Sequence, residues 1–219
     1  MIDPEQKQLQ STWVDGVTSL SKSAIGVVPY AGTFFAEIVG HVIPNQRIDR
    51  IVRFIKKLDD RLRELEATLD ERCNDPEVVD ILEDSFFQAA RAITDDRLDY
   101  IADMVANGLS QDELNFAEAK RMTWLLGQLE DVEIILLRSR LPRTDRELKK
   151  DQEFRTRHTN HIHSTPVHLG SSPEEREKDA IRTSYFTHLQ RLGLLADEAK
   201  LTTLGRILLR YLNLLPDWG

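Results

Sequence analysis

The sequence predicts an all-α protein, a multi-helix bundle with long heptad-like helices. Apolar residues recur at spacings of three and four along two stretches of the chain. Proline, glycine and Asp-Pro signals mark the points where helices end and begin. Of the 219 residues, 41% are hydrophobic and 30% are charged, which is typical of a globular protein with a core.

Composition also indicates which cellular compartment the protein occupies and which classes of protein are disfavoured. The net charge of -8 argues against a uniformly basic nucleic-acid-binding protein. Cys73 is the single cysteine, so a disulfide framework is not expected and a reducing, cytoplasmic compartment is favoured. The polar N-terminal residues predict no secretory signal. Because no apolar run reaches about 18 residues, a standard membrane-spanning helix is not predicted.

The helical bundle is predicted over residues 1–142. Asp3 and Pro4 suit the start of its first helix, since aspartate caps free N–H groups and proline fits the first helical position. Residues 24–43 follow as an apolar hairpin, because one proline and two glycines interrupt them.

Residues 44–73 are predicted to form one long helix with an apolar seam on one side. The seam consists of Ile48, Ile51, Ile55, Leu58, Leu62, Leu65 and Leu69. It either packs the core of the monomer or joins the protein to a partner or a second copy. In the second case Ile51, Leu58 and Leu65 lie at the centre of the contact. Burying one such leucine stabilises either arrangement by about 1.5–3 kcal/mol, so the energy does not separate them.

Further helix starts follow in the bundle. Asp75 with Pro76 begins one helix, and the Thr94-Asp95-Asp96 stretch begins the next. A capping box of Ser110 and Glu113 is predicted to begin a helix that runs to about residue 140. That helix carries a second seam, which consists of Met122, Leu125, Leu129, Val132 and Leu136.

Residues 143–172 are predicted to form an exposed, basic, histidine-rich linker. Its basic side chains suit either contact with phosphate or a solvated, protein-docking surface, and the sequence favours the second. Imidazole binds zinc, copper and nickel, so the candidate metal ligands are His158, His161, His163 and His168. Their spacing matches no metal motif, and polar surface is the favoured interpretation. We therefore expect no metal and no cofactor.

A membrane surface is an alternative partner. The apolar hairpin 24–43 contains Phe34 and Phe35, and a basic cluster with Arg47, Arg50 and Arg53 follows it. An apolar segment beside basic residues suits anionic headgroups, here at the inner membrane. A hairpin buried in the bundle explains the same residues. Acidic side chains dominate residues 64–118, so the basic and acidic parts of the chain could also pair within the molecule or between copies.

Two stretches resemble known families. RLDYIADMVANGLSQDE and KRMTWLLGQLEDVEIILL resemble the middle of bacterial abortive-infection alpha-type proteins, which implies a defence-associated role. YFTHLQRLGLLADEAKLTTLGRILLRYL, residues 185–212, resembles the end of a winged-helix domain. The second resemblance implies a small winged-helix-like unit over residues 173–219, with a short β-hairpin at 194–201.

No motif for catalysis is present. The sequence lacks a nucleophile elbow, a phosphate-binding P-loop and a dinucleotide-binding glycine motif. We therefore expect a non-catalytic helical interaction or regulatory protein that binds a protein partner or a second copy of itself. A membrane-active effector that uses the hairpin is the second hypothesis. A transcription-linked nucleic-acid-binding module is the third, and the near balance of basic and acidic residues in the C-terminal unit weighs against it.

Overall fold

The computed structural model describes residues 45–64, 75–109, 116–141, 148–163, 168 and 170–215. Within these ranges, 80% of the residues are helical and no strand is present, so the predicted all-α class is confirmed. The helices are α1 Asn45–Glu64, α2 Pro76–Arg91, α3 Asp95–Leu109, α4 Phe116–Gln128, α5 Asp131–Arg138, α6 Leu148–Arg157, α7 Thr159–Ile162, α8 Pro173–Arg191 and α9 Thr203–Tyr211.

The chain divides into two compact units between Gly127 and Gln128. The helix that was predicted to continue to residue 140 is instead broken there, because α4 ends at Gln128 and α5 starts at Asp131. Glu130 caps α5 through a capping box with Glu133, in which each side chain bonds the other residue's backbone N–H. Residues 143–172, predicted as a linker, contain α6 and α7 and belong to the C-terminal unit.

In the N-terminal unit, α1, α2 and α3 pack against one another. The first seam is the part of α1 that they bury: Ile51 and Leu58 are 0% exposed. Both residues therefore lie in the core of this unit, which is the first of the two arrangements considered for the seam. A role for them in association stays a prediction. Leu65 lies outside the described residues. The edge of the Phe54 ring meets the Phe86 ring, with their centroids 5.7 Å apart.

A row of ion pairs joins α1 to α3. Arg53 contacts Asp95 at 2.6 Å and Lys57 contacts Asp99 at 2.8 Å. Arg61 contacts Asp103 at 2.7 Å, and the Asp103 side chain is only 9% exposed. Partners in each pair are 42 residues apart, so α1 and α3 run in parallel. These pairs show that part of the basic and acidic surface is matched within the molecule.

Contacts within the N-terminal unit also occupy two of the arginines predicted to meet a membrane. Arg53 pairs with Asp95, and Arg50 donates to the carbonyl oxygen of Ala90 at 3.3 Å. Arg47 is exposed. Phe34, Phe35 and the hairpin 24–43 lie outside the described residues. Among the helices of the described ranges, none has the length and apolar character to cross a membrane.

Helix α4 is attached to α2 and to the start of α3. Gln88 donates to the carbonyl oxygen of Thr123 at 2.9 Å, and Lys120 forms an ion pair with Asp80. Arg97 donates to the carbonyl oxygen of Leu126 at 2.6 Å. The last contact occupies a carbonyl at the C-terminal end of α4, where helices leave acceptors without partners.

In the C-terminal unit, α5, α8 and α9 bury a small core of leucines and isoleucines. Between α8 and α9 the predicted β-hairpin is reduced to one antiparallel bridge, Leu195 to Leu201, and a 3-10 turn at Asp197–Ala199. Thr202 caps α9: its hydroxyl oxygen accepts from the N–H of Gly205 at 3.0 Å and donates to the carbonyl oxygen of Gly193 at 2.7 Å.

Candidate interaction surface

Helix α8 begins at a capping box formed by Ser172 and Glu175. The Ser172 hydroxyl accepts from the N–H of Glu175 at 3.2 Å, and the Glu175 carboxylate accepts from the N–H of Ser172 at 2.8 Å. Pro173 occupies the first helical position, where its missing N–H has no cost. This capping box therefore fixes the N-terminal end of a helix that has few tertiary contacts to hold it.

Most of α8 is open to solvent. Leu189 is the one buried residue among its 19. Ile181, near the middle of the helix, is 56% exposed, which is unusual for a large apolar side chain on a charged helix. Within the part of the chain that the structure describes, α8 thus presents an uncovered face.

Charge is distributed unequally along α8. Residues 173–179 carry four carboxylates, Glu174, Glu175, Glu177 and Asp179, against two cations, Arg176 and Lys178. Residues 180–191 carry two cations, Arg182 and Arg191, and no carboxylate. The first half is therefore acidic and the second half is basic, an arrangement that also complements the helix dipole.

Two of these charges are available for an outside partner. Glu174 is engaged with Lys178 at 2.6 Å, and this hydrogen bond and the lysine charge hold the pKa of Glu174 below its usual range. Glu177 and Arg191 are exposed and have no ion-pair partner among the described residues. They lie at opposite ends of the uncovered face.

The other side of α8 is fixed to α5 by a buried carboxylate. Glu133 is 2% exposed, and its Oε1 lies 2.7 Å from Nδ1 of His188. Its Oε2 accepts from the N–H of Glu130 at 2.9 Å. Burial raises the pKa of the Tyr185 phenol, and the charge and hydrogen bond of Glu130 and the charge of Glu133 raise it further. Both oxygens of Glu133 are used structurally, so it orients α8 on α5.

Replacing Glu133 by alanine is expected to lower the free energy of unfolding of the C-terminal unit by about 2 kcal/mol, because the Glu130 N–H and the partly buried His188 imidazole both lose their partner and the capping box is broken. Glu133→Gln is the matched control: its amide oxygen still accepts from the backbone, so part of the loss is recovered. Urea unfolding followed by circular dichroism measures both. Equal stability of the wild-type protein and Glu133→Ala would contradict this role.

A cleft of about 440 Å³ lies between α5, α7 and α8. Val132 and Leu136 supply apolar walls, and Ile181 stands at its edge. Arg182 crosses one side of the cleft, where its guanidinium donates to the carbonyl oxygens of His161 and, at 2.8 Å, of Ile162. The residues around it are His163, Asn160, Glu175, Lys178, Asp179 and Tyr185.

The structure does not bring the four candidate metal ligands together. His158 packs against the ring of Phe154 with the centroids 4.7 Å apart, and His161 and His163 are exposed. Nδ1 of His168 lies 2.7 Å from the hydroxyl of Ser171. In the described residues no group of three or more metal-binding side chains is found.

Sequence reasoning missed residues that shape this surface, namely Glu130, Glu133 and Tyr185. The Glu130 cap gave little signal, since glutamate is not among the preferred capping residues. The exposed face of α8 could have been predicted from the sequence, because Ile181 is an isolated apolar residue among charged ones.

The chain matches no known protein family, and neither a curated protein nor a solved structure is significantly similar to it.

Proposed function

We propose that this protein is a non-catalytic helical interaction protein and that α8 pairs with α8 of a second copy in an antiparallel arrangement. One observation carries the proposal: the uncovered α8 has an exposed isoleucine near its middle and opposite net charges in its two halves. A surface of this kind complements itself when a copy is rotated by half a turn.

The pairing follows from helix geometry. Around a two-fold axis near Arg182, the midpoint of α8, the last turn of one helix lies against the first turns of the other. Arg191 of each copy then lies near Glu174 and Glu177 of the other, and the two Ile181 side chains meet near the axis. Two helices of 19 residues, about 28 Å long, form less than a standard interface, so we expect a micromolar dissociation constant.

Ile181→Glu is expected to weaken self-association at least about tenfold, because it puts a carboxylate beside the axis in each copy. Analytical ultracentrifugation of the full chain over a range of concentrations measures the constant. Ile93→Glu is the matched control, since Ile93 is 88% exposed in the N-terminal unit and is expected to leave the constant unchanged. A monomer at every concentration, or equal weakening by both variants, would refute the pairing.

A charge exchange tests the antiparallel direction within the same experiment. Glu177→Arg alone and Arg191→Glu alone each place like charges together twice in a two-fold pair. The double variant restores opposite charges and is expected to recover association, and 1 M salt is expected to weaken the wild-type dimer. Failure of the double variant to recover would exclude this direction of pairing.

Other features of α8 disfavour nucleic acid as its occupant. We propose that α8, the Leu195–Leu201 bridge and α9 form a reduced winged-helix-like arrangement, supported by the order of these elements. In such an arrangement the first turns of α8 would approach the phosphates, and those turns carry the four carboxylates. We also propose a role in bacterial defence, which is supported by the resemblance of residues 97–113 and 120–137 to abortive-infection alpha-type proteins.

A further inference from the structure

Two guanidinium groups in the C-terminal unit lie on one aromatic ring. The central carbon of Arg140 is 4.6 Å from the centroid of Phe186, and that of Arg182 is 5.3 Å from it. Each contact is favourable by itself, because a cation is attracted to the ring face. Together they bring two positive charges close to one another.

Arg155 adds a third positive charge. Its guanidinium donates to the carbonyl oxygen of Ser139, directly before Arg140, at 2.8 Å. Burial lowers the pKa of Arg140, and the charges of Arg182 and Arg155 lower it further. Burial also lowers the pKa of Arg182, and Asp179 partly offsets this effect. The three arginines, which we name the arginine cluster, therefore concentrate positive charge around Arg140.

Arg140 also has an unused donor. Its Nε is buried and has no hydrogen-bond partner among the described residues. Buried arginine nitrogens in proteins are ordinarily paired, because an unpaired charged donor loses its hydration without compensation. The guanidinium groups of Arg182 and Arg155, by contrast, already donate to backbone carbonyls.

We propose that the arginine cluster binds a small oxyanion of the phosphate type, with Arg140 as the donor that contacts it. The guanidinium fork matches two oxygens of a phosphate, and Arg182 and Arg155 supply positive charge while their own donors hold the local backbone. Arg140 and Arg155 lie outside α8, so a variant at Arg140 tests this site without altering the charges proposed for the α8 pairing. The chemistry fits inorganic phosphate, pyrophosphate and the phosphate group of a larger ligand.

The test is thermal unfolding of the full chain with phosphate or pyrophosphate, compared with chloride at equal ionic strength. At a phosphate concentration about five times the dissociation constant, the midpoint of the C-terminal unit is expected to rise by about 4–8 °C. Arg140→Gln is expected to abolish the rise. Arg206→Gln is the matched control, because Arg206 is an exposed arginine of α9 outside the cluster.

Two further measurements separate a binding role of Arg140 from a purely structural role. Without phosphate, Arg140→Gln is expected to unfold near the wild-type temperature, because the loss of like-charge repulsion offsets the loss of the cation–π contact with Phe186. Arg140→Lys keeps the charge but not the fork, and calorimetric titration with pyrophosphate is expected to show at least tenfold weaker binding to it. No rise above chloride, or an equal rise in wild type, Arg140→Gln and Arg206→Gln, would overturn the site. Binding of pyrophosphate without inorganic phosphate would identify a diphosphate ligand.

Discussion

Replacing Phe86 by alanine is expected to lower the free energy of unfolding of the N-terminal unit by about 3–5 kcal/mol. Phe86 is 0% exposed, and its ring meets that of Phe54 at an interplanar angle of 85°. Alanine would leave a cavity among α1, α2 and α3 and remove the edge-to-face contact. Urea unfolding followed by far-ultraviolet circular dichroism measures the change.

Phe87→Ala is the control for that experiment. It removes the same number of atoms from the next residue of α2, but Phe87 is 48% exposed. We expect it to cost about 1 kcal/mol or less, because little apolar surface returns to water and no enclosed cavity forms. Equal losses for Phe86→Ala and Phe87→Ala would show that α2 does not bury the face described above.

Gly205→Ala is expected to destabilise the C-terminal unit by about 3 kcal/mol. A Cβ atom at this position would lie 2.5 Å from the carbonyl oxygen of Leu194 and 2.7 Å from Cδ1 of Leu201. That carbonyl accepts from the N–H of Thr202 at 3.1 Å, so moving it disturbs the cap of α9. The clash outweighs the roughly 1 kcal/mol that alanine gains over glycine in a helix.

Gly170→Ala provides the comparison for this substitution. Its new Cβ would have His168 Nε2 as nearest atom, at 3.9 Å, so we expect a change within about 0.5 kcal/mol. Thermal unfolding measures the change in stability that each variant causes. If Gly205→Ala were as stable as Gly170→Ala, the close approach of α9 to Leu194 would be wrong.

The sequence predicted elements whose causes are local. Helices begin at Pro76 and Asp95 as expected, because the proline ring and the Thr94 hydroxyl, which accepts from the N–H of Arg97 at 3.1 Å, act within one turn. Asp75 makes no side-chain capping hydrogen bond, so Pro76 is the local cause of the first start. The α4–α5 break was missed because the second seam continues through Leu129 and Val132 without a change in spacing. The spacing of apolar residues identifies the side of a helix that is buried. It does not show whether one helix or two consecutive helices carry those residues.

The remaining differences between the predicted and the observed structure arise from tertiary packing. The spacing of Ile51 and Leu58 identified a buried side, but it could not identify which helices cover it, since α2, α3 or another chain would bury the same area. In residues 143–172, Phe154 is 8% exposed and lies under the guanidinium of Arg138 at 3.8 Å. One aromatic residue in a basic stretch gives no periodic pattern, so the packing of α6 had no signal.

The row of ion pairs between α1 and α3 has a consequence for their alignment. Its three cations are spaced by four residues, and so are its three carboxylates. If α1 slid along α3 by one such interval, about 6 Å, two of the three pairs would form again with exchanged partners. Arg61 already reaches Asp99 at 3.0 Å as well as Asp103. The ion pairs alone therefore separate the two alignments by only one pair, and the packing of the Phe54 ring against Phe86 favours the observed position.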